Sequence, residues 1–83
     1  MILARRDVIA KLEDRLAGLI DDQGLAAWAF DSYYAIEQGT LSVAPDDADP
    51  LAEALDDLMF ADEPSFALGE ADLRRLIARL QGP

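Results

Sequence analysis

Residues 21–39 read DDQGLAAWAFDSYYAIEQG, a helix with both ends marked. Asp21 and Asp22 are N-cap candidates, since a short carboxylate can accept from the free N–H groups of a first turn, and Gly24 falls inside that turn. Leu25, Trp28, Ala29, Tyr33 and Ile36 recur at steps of three, one, four and three, which traces one helix face. Phe30 and Tyr34 lie four apart on a neighbouring face. Gly39 stands just past the end, where the backbone turns left-handed. The spacing predicts a helix over 22–38, apolar on more than one side and with an aromatic edge.

The flanking sequence is helical too. Upstream, Val8, Ile9, Leu12, Leu16, Leu19 and Ile20 keep one face apolar and predict a helix over 5–20. Asp7, Lys11, Glu13, Asp14 and Arg15 fall mostly on its other side. Asp7 precedes Lys11 by four, the favourable order for an ion pair worth a few tenths of a kcal/mol. Downstream, Thr40–Asp49 (TLSVAPDDAD) is a linker in which Leu41-Ser42-Val43 is too short to set as a strand. Asp49-Pro50 reads as an N-cap followed by proline at the first helical position. The helix it opens, over 50–61, turns Leu51, Leu55, Leu58 and Met59 inward and Asp56 and Asp57 outward, and it ends before Pro64. A last helix over 70–81 has Gly69 as N-cap, a Leu68/Leu73 staple, and a stripe of Leu73, Leu76, Ile77 and Leu80. Glu70 and Asp72 face the positive end of its dipole; Arg74, Arg75 and Arg79 lie toward the negative end. Gln81-Gly82-Pro83 reads as a frayed end.

Four short helices joined by connections of a few to about ten residues predict an all-α compact bundle, one domain over 1–83. With 52% apolar and 29% charged residues, the composition is globular. The last helix is too short to be stable alone and must dock.

Charge is segregated along the chain. Of 17 acidic and 7 basic residues, giving −10, all the basic ones lie in the first 15 or last 10 positions. Residues 16–73 carry 14 acids and no lysine or arginine. Those carboxylates must be solvated, reach the terminal arginines, or face a basic partner. Clustered cations for a phosphate backbone are lacking, so direct nucleic-acid binding is not expected.

There is no histidine and no cysteine. That removes imidazole bases, thiolate nucleophiles, and the usual ligands of zinc and iron–sulfur clusters. An EF-hand frame started at Asp47 puts Leu51 at the fifth position and Ala52 at the sixth, where a ligand and a glycine are needed. The pairs Asp56/Asp57 and Asp62/Glu63 are adjacent, so on a helix they point about 100° apart and cannot share a proton. The expectation is a non-enzyme with no metal or cofactor. No run of about 18 apolar residues exists to cross a membrane. Arg5 and Arg6 follow rather than precede the apolar start, the wrong order for a secretory signal, so a cytoplasmic location is expected.

What remains is partner binding. Trp28, Tyr33 and Tyr34 are candidate apolar anchors, with at least one tyrosine exposed, because neighbours on a helix cannot both face inward. Asp46, Asp47, Asp49, Asp56 and Asp57 are candidates for steering and clamping a basic protein. A small acidic helical chain with an aromatic second helix, a Pro45-Asp46-Asp47 loop and a final leucine/arginine helix resembles the bacterial immunity proteins. These are cytoplasmic inhibitors of colicin-type and contact-dependent toxins. The resemblance implies inhibition by covering a basic toxin or nuclease. In the nuclease-colicin group a Tyr-Tyr-Pro motif touches the toxin; here Tyr33-Tyr34 is followed by Ala35, so no residue is carried over. The alternative is a self-associating structural module, a homodimer that buries a spare apolar stripe.

Overall fold

A computed structural model describes residues 2–63, Ser65 and residues 68–82. Among them, four α-helices form an all-α bundle: α1 (Arg5–Leu16), α2 (Asp22–Glu37), α3 (Ala48–Leu58) and α4 (Glu70–Gln81). A two-stranded parallel sheet, β1 (Ile2–Leu3) against β2 (Ser42–Val43), ties the start of the chain to the α2–α3 connection. Of the Leu41-Ser42-Val43 segment, Ser42 and Val43 are thus extended and paired, because β1 supplies a partner that local sequence cannot reveal.

Helix α1 stops at Leu16, short of the expected 20. Gly18 takes φ +79°, and two hydrogen bonds, Gly18 N–H to Arg15 O (3.1 Å) and Leu19 N–H to Asp14 O (2.9 Å), close the end in a Schellman motif. Leu19, read as part of the apolar face, is left exposed. The end of α2 repeats the device: Gly39 has φ +80°, with Gly39 N–H to Ile36 O (3.1 Å) and Thr40 N–H to Ala35 O (2.9 Å). At its start, the Asp21 carboxylate accepts from Gly24 N–H at 2.8 Å, as the sequence predicts.

Helix α3 begins earlier than Asp49-Pro50 suggests. A 3-10 turn over Pro45–Asp47 runs straight into it, so Asp49 and Pro50 sit inside its first turn. Pro50 is tolerated there because the first N–H groups of a helix have no intrahelical acceptor. Asp47 occupies the N-cap without capping, since its carboxylate is held by Arg5 Nε at 2.8 Å. Beyond Leu58 the chain continues in turns to Glu63; Pro64 lies outside the described residues, as does Pro83. Helix α4 matches its expected span. Gly69 N–H donates to Asp72 Oδ2 at 3.1 Å, and Leu68 packs on the core near the buried Leu73.

One core draws on every helix: Val8 and Leu12, Leu25 and Ala29, Leu51, Ala54, Leu55 and Leu58, Leu73, Leu76 and Leu80, with Leu3 from β1. Within it the helices associate as two pairs, α1 with α4 and α2 with α3. Arg5 bridges them, bonding Asp47 through Nε and the Leu80 carbonyl through Nη1 at 3.3 Å, where the negative end of α4 favours a cation. Among the described residues, no helix is long and apolar enough to cross a membrane.

Candidate functional site

The two helix pairs differ in charge. Every lysine and arginine lies on α1 or α4; α2 and α3 carry only acids. Three arginines reach across: Arg5 to Asp47 (2.8 Å), Arg15 to Asp22 (2.7 Å), and Arg79 toward Asp57 (3.9 Å). Arg74 and Arg75 are held on α4 itself by Glu70 (2.8 Å) and Asp72 (2.7 Å). The hydrogen bond that Arg15 donates to Asp22 is the largest influence on its guanidinium and raises its pKa above the ordinary arginine value. A raised cationic pKa contributes stability that persists below the ordinary value and is lost only as pH climbs through the raised one.

The bridges leave several carboxylates without an ion pair among the described residues, three of them in a row on α3. On α3, Asp49, Glu53 and Asp56 recur at i, i+4 and i+7, opposite the buried Leu51, Ala54, Leu55 and Leu58. All three are exposed, and among the described residues none has an ion-pair partner. Like charges four apart on a helix cost a few tenths of a kcal/mol.

An aromatic pair stands on the adjoining helix. The rings of Phe30 and Tyr34 lie 5.6 Å apart, tilted by 31°, and are 48% and 53% exposed. Ala26 and Phe30 of α2 border a groove with Met59, just past the end of α3, and Asp31 and Asp62 also line it. The outer surface of the α2–α3 pair thus combines a ring pair, a methionine and carboxylates of one sign. Aromatic anchors amid same-sign charge suit protein recognition.

The eight residues singled out from sequence divide between several places. Tyr34, Asp49 and Asp56 belong to this surface. Asp46 is exposed in the 3-10 turn at the head of α3. Asp47 and Asp57 face arginines. Tyr33 is half-buried against the core. Trp28 is also half-buried, on the other flank of α2, with Lys11 Nζ 5.8 Å from the centre of its ring. Lys11 therefore meets an indole rather than Asp7, whose carboxylate instead accepts from Ala4 N–H at 2.8 Å. Three contributors went unchosen. The Phe30–Tyr34 spacing and the Asp49–Glu53 spacing were both visible signals; Met59 joins through tertiary packing, which spacing does not report.

Among the described residues, no three carboxylates converge closely enough to hold a metal ion. Comparison with protein-family models, curated proteins and solved structures found no match to the chain.

Proposed function

We propose that the chain is a non-enzymatic acidic protein-binding module that docks a basic protein on the α2–α3 surface. It would act by covering that partner, in the manner of the immunity proteins it resembles. One observation carries the reading: the carboxylate row Asp49, Glu53 and Asp56 has no cation of its own and lies on the helix packed beside the exposed Phe30–Tyr34 pair. Long-range attraction from the row accelerates encounter with a basic surface. The rings, desolvated on contact, slow dissociation.

The test is capture from the native lysate at low and high salt, repeated with Glu53→Lys/Asp56→Lys. The reading expects one basic protein whose association rate falls steeply with ionic strength and falls at least about tenfold in the double variant. A partner whose on-rate ignores both changes removes the electrostatic steering. Self-association, the second reading, draws on the same exposed rings, but it would bring two acidic rows together. Salt would then strengthen the contact, so the sign of the salt effect separates the two readings.

A further inference from the structure

On the opposite flank of α2, a groove of about 500 Å³ lies between β1, α1 and α2. Ile2, Leu3, Trp28 and Leu41 give it apolar walls, and Arg6 and Lys11 border it. The volume is that of a small-molecule site. Arg5, Arg15, Arg74, Arg75 and Arg79 each face a carboxylate; Arg6 and Lys11 are the two cations with no ion pair among the described residues. A chain with 17 acids has left two cations unmatched, and both line this one groove. Asp7 also borders it, but one of its oxygens is committed to Ala4 N–H. Lys11 lies over the Trp28 ring, which places an ammonium against an apolar wall.

Unmatched cations beside an aromatic and aliphatic surface complement an anion with an apolar body. The net charge of −10 repels a dianion more than a monoanion, which favours a single carboxylate over a phosphate. We propose that this groove binds a small amphipathic monocarboxylate, its charged end between Arg6 and Lys11 and its chain or ring along Trp28, Ile2 and Leu41. The site does not depend on the docking surface of α3, which lies elsewhere on the molecule.

Trp28 is the only tryptophan, so its fluorescence reports this groove alone. The full chain is titrated with decanoate below its micellar range, with decanol and decyl phosphate as comparisons. The expected result is a saturable change in emission with decanoate, and at least about tenfold weaker binding of decanol, which lacks the charge. Arg6→Gln and Lys11→Gln should each weaken decanoate by about tenfold at an unchanged melting temperature, whereas Arg74→Gln should not alter it. No saturable change, decanol equal to decanoate, or wild-type affinity in both groove variants would overturn the proposal. Tighter binding of decyl phosphate would overturn the choice of a monocarboxylate.

Discussion

The α1–α4 pair and the α2–α3 pair share a core yet treat charge in opposite ways. On α4 the arginines Arg74 and Arg75 are matched within one turn by Glu70 and Asp72, while Arg5, Arg15 and Arg79 pair with carboxylates outside the α1–α4 pair. On α3 the acids Asp49, Glu53 and Asp56 sit in register with one another and with nothing else. Within the helices, Phe30 and Tyr34 are exposed on α2, whereas the large apolar residues exposed near α1, Ile2 and Leu19, lie in the segments that flank it. The α1–α4 pair thus carries every cation, and the α2–α3 pair carries exposed rings and acids with no cation of its own.

Four pairs of substitutions probe that contrast. The largest effect tests whether the pairs are separate units at all. Leu12→Ala and Leu55→Ala, one in each pair, both remove fully buried side chains and should each cost about 2–5 kcal/mol, a large share of a small domain's stability. Chemical denaturation should still show one transition; two resolved transitions would mean that the shared core does not couple the pairs. Next, Phe30→Ala or Tyr34→Ala should weaken binding of the basic partner by about 2 kcal/mol, measured by calorimetry, while stability changes by less than about 1 kcal/mol. A stability loss as large as the binding loss would make the rings structural.

Gly18→Ala and Gly39→Ala should each cost about 1–2 kcal/mol, because both positions need positive φ. The two melting shifts should be alike, since an added Cβ meets nothing within 4 Å at either site. The smallest effect has the opposite sign. Glu53→Lys should raise stability by a few tenths of a kcal/mol, as it turns like-charge neighbours Asp49 and Asp57 into favourable ones. Arg74→Glu, on α4, should lower it by a similar amount. If both variants melt in the same direction, the contrast between the pairs is not electrostatic.

Much of this architecture was legible in short-range chemistry. Asp21, Gly39 and Gly69 mark helix ends through local backbone geometry, and each stands where its residue type predicts. The apolar period misled only where it outran the backbone: Leu19 and Ile20 continue the spacing, but Gly18 has already ended α1. Asp49-Pro50 misled because the 3-10 turn over Pro45–Asp47 runs on into α3, which begins already at Ala48. The acidic character of the middle was visible, and so was the exposure of one tyrosine. The choice between Trp28 and Phe30 was not, since it depends on which flank of α2 receives α1 and which receives α3, a matter of packing between distant segments.

The pairing of α1 with α4 also has a temporal side. Helix α1, made before α2 and α3, docks on α4, made after them, and β1 must wait for β2 some forty residues later. Helices α2 and α3, neighbours in sequence, can meet across a short connection while Val8 and Leu12 still lack most of their cover. Closing the ends of the chain then orders the largest loop in the molecule and comes at the entropic cost of that closure. Folding should therefore proceed from the acidic middle outward, with Leu25 and Leu55 substitutions slowing it and Leu80 substitutions mainly hastening unfolding in stopped-flow experiments. The segment that carries the exposed rings and the α3 carboxylate row would take shape before the segments that complete the core.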